Sequence, residues 1–238
     1  MIKKILLIIS LFVTAMVGGI FATQYIWPNF VEKPLAKKYN LEAGPIYLTE
    51  IKEIYIQENT ALIDAIERVE KAIVALRTRT SAGQTLYGSG LIITSDGLLV
   101  TLAELVPQGA EFIFYIEHKP LPFQVLKRDL ENNLALIKVS DSFFHTTGFS
   151  RSEDLEIGQR VFLLGKMFIN NDIYKSVNEG IIKSVDDKFI YTNILEEVEL
   201  SGSPLFNIHG EVLGLVFIEK NGKVNAIPIS IIREFIGL

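Results

Sequence analysis

From Ala72 to Ile227 the chain runs through short apolar, β-branched or aromatic segments, each closed by turn residues before a helix could complete three turns. The segments are Ala72–Thr78, Gly90–Thr94, Leu98–Leu102, Phe112–Ile116, Phe123–Lys127, Ala135–Val139, Arg160–Leu164, Gly180–Val185, Phe189–Thr192, Val212–Ile218 and Val224–Ile227. Ser95-Asp96-Gly97 and Lys220-Asn221-Gly222 are the kind of punctuation that reverses a hairpin. Many short strands joined by close turns fold into barrels or sandwiches. At 238 residues the chain has room for one large β domain or two small ones.

The amino terminus has a different character. Lys3-Lys4 precede an uncharged apolar run from Ile5 to Ile26, about the 20 residues that cross a bilayer as a helix. A cleaved signal peptide is the alternative, but the run is long for one and Ile20-Phe21-Ala22 makes a poor cleavage site. The expected plan is a cytoplasmic end at 1–4, a transmembrane anchor at 5–26 and a linker at 27–58. The two lysines favour a cytoplasmic amino end, Tyr25 and Trp27 suit the opposite interface, and the body then lies outside the cytoplasmic membrane as a single-pass protein.

Past Pro28 the stretch to Gly44 mixes Pro, Lys, Glu and Asn without a period and reads as a tether. Ile46–Gln57 alternates weakly and fits a strand or more linker equally. From Asn59 or Thr60, as cap, apolar residues at 62, 63, 66 and 69 mark one face of a short helix. Pro228–Ile236 reads as a second, with Ser230 as its cap. A net charge of −5 without basic clusters gives no reason to expect nucleic acid. The absence of cysteine removes disulfides, thiol catalysis and cysteine-held metals. His118, His145 and His209 lack paired ligand spacing, so neither a metal nor a cofactor is expected.

Four blocks in order resemble the HtrA-type (DegP/DegS-like) branch of the chymotrypsin-like serine proteases. Gly88–Thr101 is similar to G-S-G-F-I-I-S-x-D-G-Y-I-V-T, and Asn132–Val139 to T-D-L-A-V-L-K-V. Leu155–Val161 is similar to L-x-x-G-x-x-V. Thr192–Ser201 spans the positions of T-D-A-A-I-N-P-G-N-S, followed by Ser201-Gly202-Ser203-Pro204-Leu205 and a closing Ala226-Ile227-Pro228. The resemblance covers about residues 59–238. It implies an all-β fold of two six-stranded antiparallel barrels, at about 72–140 and 157–229, with short flanking helices (the last at about 230–236) and no PDZ domain.

The same resemblance identifies what is altered. Ser201 holds the nucleophile position, Glu104 stands where the family has its histidine base, and Asn133 where it has the aspartate. Glu199 replaces the glycine that shares the oxyanion hole with Ser201. A serine hydroxyl without a base is a poor nucleophile, and an asparagine can still hydrogen-bond but carries no charge to stabilise an imidazolium. The expectation is a pseudoprotease that binds an extended peptide or protein segment, in the family's manner, along Gly214, Leu215, Val216, Phe217 and Ile218. An active endopeptidase with Glu104 as an unusual base, and a structural scaffold with no ligand, are the alternatives. Glu196, Glu197 and Glu199 crowd the serine and could draw a basic segment.

Overall fold

The computed structural model describes residues 2–32, 60–116, 119–140, 144–151 and 155–237. The chain divides into two units, Met1–Gln57 and Glu58–Leu238. In the first, helix α1 (Ile2–Phe21) continues with wider turns through Ala22–Glu32. Its stretch Lys3–Trp27 is 25 residues long with a mean hydropathy of 2.6, long and apolar enough to cross a membrane. Leu11 and Phe12, at 71% and 77% exposed, typify side chains that water alone would solvate poorly. The weak alternation at 46–57, Asn59, His118 and most of the expected linker lie outside the described residues.

The second unit opens with helix α2, residues 60–69, and a short 3-10 turn that delivers the chain into the first sheet. That sheet contains β1 (Ile73–Arg79), β2 (Thr85–Ile92), β3 (Leu98–Leu102), β4 (Glu111–Ile116), β5 (Lys119–Leu121), β6 (Phe123–Asp129) and β7 (Leu134–Val139). The spatial order is β5-β4-β1-β2-β3-β7-β6. The expected six strands are therefore seven, because Lys119–Leu121 adds a three-residue edge strand beside β4. It is too short and too polar to register as a strand from its side chains.

The second sheet is a closed six-stranded antiparallel barrel. Its strands are β8 (Arg160–Ile169), β9 (Asp172–Val185), β10 (Ile190–Leu195), β11 (Pro204–Asn207), β12 (Val212–Ile218) and β13 (Lys223–Pro228). They close in the order β10-β13-β12-β11-β8-β9. β9 is much longer than its apolar part, Gly180–Val185. Asn170 and Asn171, both at positive φ (52° and 70°), turn the chain so that Asp172–Ile181 pairs with β8 rung by rung. Helix α3 (Ile229–Ile236) closes the chain. Pro228, rather than the expected Ser230, sits at its N-cap, because the helix begins one residue before that serine.

Side-chain patterns explain the packing. β4 alternates, with Phe112 and Phe114 buried and Glu111 and Ile113 exposed, as a strand with one wet face must. Ile73–Leu76 of β1 are all buried, since the second barrel covers the face that would otherwise meet water. One apolar cluster fills the first sheet and reaches across to Phe162, Leu164, Phe206 and α3, while a second, around Leu163, Ile190, Leu213 and Val216, fills the closed barrel.

The β2–β3 hairpin turns at Gly97, whose φ is +92° and where a Cβ would strike the Val139 carbonyl oxygen. Both the left-handed backbone and the close approach demand glycine. Gly97→Ala is expected to lower unfolding free energy by about 2–4 kcal/mol, measured by urea denaturation of the purified protein.

Candidate active site

The sheets meet at a loop whose residues are small for a reason. After β10 the chain makes a 3-10 turn, Val198–Leu200, then passes through Ser201, Gly202 and Ser203 into β11. Gly202 has φ +81°, and a Cβ there would collide with the Ser89 carbonyl oxygen. Its N–H donates to the Val216 carbonyl at 2.8 Å. The Ser203 hydroxyl turns back onto the Leu200 carbonyl at 2.6 Å. From the first sheet, Ser89 N–H donates to the Ser201 carbonyl at 2.9 Å. The Ser89 carbonyl accepts from Thr101 Oγ1 at 2.7 Å, and its side-chain oxygen accepts from Lys166 N–H at 2.9 Å.

Ser201 itself is closed in. It is 1% exposed. Its Oγ is the buried side-chain polar atom left without a hydrogen-bond partner among the described residues. Burying a hydroxyl unpaired costs about 1–3 kcal/mol. Its N–H is not free either, since it donates to the Val198 carbonyl at 2.9 Å inside the 3-10 turn. An oxyanion hole needs main-chain N–H groups aimed at the space where charge will develop. Here one of the two expected donors is turned inward. Glu199, at the position of the other, is an exposed member of the same turn.

Glu104 and Asn133 are brought together from different strands. β3 ends in the 3-10 turn Ala103–Leu105, and Asn133 precedes β7 at φ 53°. Asn133 Oδ1 accepts the Glu104 N–H at 3.0 Å and its carbonyl accepts the Ala103 N–H at 3.0 Å. Asparagine is well suited to this, tolerating the left-handed backbone and supplying a short acceptor. The turn before it is fixed by Asp129, whose carboxylate accepts from Glu131 and Asn132 N–H and from the Asn132 side chain. The Asn132 side-chain and main-chain hydrogen bonds hold its pKa below the usual carboxylate range.

The Glu104 carboxylate is exposed, and no hydrogen bond joins it or Asn133 to Ser201 among the described residues. Leu105 and Thr101 are side chains of the first sheet that do reach the serine loop at Gly202. A Cβ added at Gly88 or Gly202 would lie 2.5 or 2.9 Å from Leu105 Cδ1. Thr78 Oγ1 holds the Leu105 carbonyl at 2.6 Å. Sequence reasoning missed Leu105, because an apolar residue after the base position is unremarkable until the fold sets it against the loop. His145 and His209 are exposed. His209 lies in the β11–β12 turn, its carbonyl accepting from Arg68. Among the described residues no group of three or more His, Cys, Asp or Glu could hold a metal ion.

The residues of the expected peptide strand, Gly214–Ile218, differ in how their edges are paired. Gly214 and Leu215 pair with Leu205 and Pro204 of β11 on one side and with β13 on the other. Val216 exchanges hydrogen bonds with Gly202 and Ser203. Phe217 and Ile218, paired with Asn225 and Val224 of β13, extend past β11 and have no strand partner on the other edge among the described residues. A backbone cannot add where both ladders are filled.

Two sheets of this topology, joined at a serine loop, define a chymotrypsin-fold protein. Residues 88–215, more than half of the chain, match the model of the trypsin-like peptidase domain, and the chain belongs to that family. Among curated relatives it is similar to probable periplasmic serine endoproteases, DegP-like, from several bacteria. That of Halomonas elongata is 31% identical over 159 residues, covering 62% of this chain and 34% of the relative. That of Pseudomonas fulva is 30% identical over 162 residues, covering 62% and 33%. The chain thus spans about a third of the length of the relatives it matches, and the HtrA-type resemblance holds.

Asn133→Ala removes the acceptor for Glu104 N–H and leaves an alanine at positive φ. It is expected to cost about 2–3 kcal/mol in urea unfolding, whereas Asn133→Asp, which keeps the acceptor, should cost less than half of that.

Proposed function

We propose that this chain is a membrane-anchored, extracytoplasmic member of the trypsin-like family that binds an extended protein segment and does not cut it. The observation that carries the reading is the state of Ser201: buried, its hydroxyl without a base and its N–H held by Val198. Acyl transfer needs an accessible oxygen, a group to take its proton and donors facing the oxyanion. The exposed Glu104, occupying the base position, offers its N–H to Asn133 and no proton acceptor to the serine. Binding requires none of these. The free edge at Phe217 and Ile218 supports short strand addition, and the exposed Glu197 and Glu199 beside the loop favour a segment carrying Lys or Arg.

The test is covalent labelling of the full-length protein, in detergent, by a fluorophosphonate probe, with Ser201→Ala as blank. No Ser201-dependent labelling is expected. Glu104→His, Asn133→Asp or Glu199→Gly alone should also stay silent, because triad members act as a unit. The triple variant is the one from which signal is expected. Glycine at 199 allows the turn to reverse and release the Ser201 N–H, while histidine and aspartate supply base and orienter. Strong labelling of the unmodified protein would overturn the reading and make it a peptidase.

The anchor is read as a single, uncleaved span of the cytoplasmic membrane, with Lys3 and Lys4 inside. A phosphatase reporter fused after Ile46 is expected to be active, and the mature protein to retain residues 1–26. A soluble product beginning near Gln24 would replace the anchor with a signal peptide.

A further inference from the structure

Away from the serine loop, β1 places two arginines on one face. Arg77 and Arg79 are two residues apart and so point to the same side of the sheet. Across from Arg77 stand Tyr87 of β2 and Ile113 of β4, and across from Arg79 stand Thr85 and Glu111. The tip of the long β8–β9 hairpin reaches over from the barrel. Phe168 packs on Tyr87 and edge-on to Tyr115, with ring centroids 5.0 and 5.7 Å apart. Between hairpin tip and sheet lies an open cavity of about 450 Å³, lined by Arg77, Arg79, Tyr87, Glu111, Ile113 and Asn171 together with Gly83 and Thr85. That volume lies in the range that holds small ligands or single side chains.

The polar groups there are incompletely used. Arg77 donates to the Tyr115 hydroxyl at 2.8 Å, which occupies one of its five N–H bonds. Among the described residues the Arg79 guanidinium has no hydrogen-bond or ion-pair partner, and neither arginine forms an ion pair with Glu111. Two guanidiniums facing one cavity make a site for a planar anion, since the fork of N–H donors matches carboxylate geometry.

We infer that this cavity is a second binding site, for a peptide carboxylate. The charge count chooses carboxylate over phosphate. Two arginines and Glu111 leave one net positive charge facing the cavity, which a monoanion neutralises. A phosphate, carrying about −1.5 to −2 near neutral pH, would leave net negative charge beside Glu111. The ring of Tyr87, backed by Phe168, and the exposed Ile113 give an apolar wall for the methylene stem that a carboxylate of peptide origin brings. The site is independent of the serine loop and of whether the chain cleaves anything.

The test is a titration of the full-length, ¹⁵N-labelled protein in detergent micelles, followed through the backbone amides of residues 77–87 and 111–113. The probes are N-acetylglutamate α-amide, N-acetylalanine, N-acetylglutamine α-amide and inorganic phosphate. Saturable millimolar binding of at least one carboxylate is expected, and whichever of the first two binds more tightly identifies an acidic side chain or a chain terminus as the natural source. Arg79→Gln, a surface change, should weaken that binding about tenfold. Glu111→Gln should tighten it severalfold, an outcome that damage to the fold cannot imitate. Equal binding of the neutral glutamine probe, tighter binding of phosphate, or indifference to both substitutions would overturn the assignment.

Discussion

Ser89 is the residue through which the two sheets are registered. Its N–H holds the Ser201 carbonyl, its own carbonyl takes the Thr101 hydroxyl, and its Oγ receives the Lys166 N–H. All three contacts are buried, where a hydrogen bond is strengthened by low dielectric and a broken one is costly. A serine loop on the barrel, a strand from the other sheet and the start of the β8–β9 hairpin are therefore held in one arrangement. Small residues make it possible: a Cβ at Gly165 would run into the Ser203 hydroxyl, and one at Gly202 into Ser89.

The loop's conformation follows from that junction and from Glu199. Glycine at this position could reverse the peptide plane and send two N–H groups outward. With a side chain there, the 3-10 turn Val198–Leu200 keeps its carbonyl bonded to Ser201 N–H. Leu105 is set against the loop beside Gly88 and Gly202. The trypsin-like scaffold thus surrounds a serine whose hydroxyl has no hydrogen-bond partner among the described residues.

Much of this was legible in the sequence because hairpin chemistry and alternating burial leave clear marks. Gly97 with Ser95-Asp96 announced the β2–β3 turn, and the run Phe112–Ile116 announced β4. The pairing of positions 104 and 133 was legible from the order of the blocks, although the form it takes, Asn133 Oδ1 on a main-chain N–H, was not. Three features were hidden. β5 is only Lys119–Leu121, and the first half of β9 mixes polar and apolar residues and has no buried residue. The extent of the free edge on β12 depends on where β11 ends, which is a matter of pairing between distant segments and is carried by no local pattern.

The borders of the first sheet have a bearing on how copies of this protein coexist. Closure leaves the barrel without a terminal strand, but the seven-stranded sheet ends at β5 and β6. β5 is three residues long and contains Pro120, which has no N–H to offer. β6 carries Lys127 and Arg128 and is kinked by a register shift between Val125 and Lys127. Each is a device that frustrates strand-to-strand joining between neighbouring molecules. Both borders of the sheet thus carry features that oppose strand addition, whereas among the described residues β12 beyond Val216 pairs on one side only.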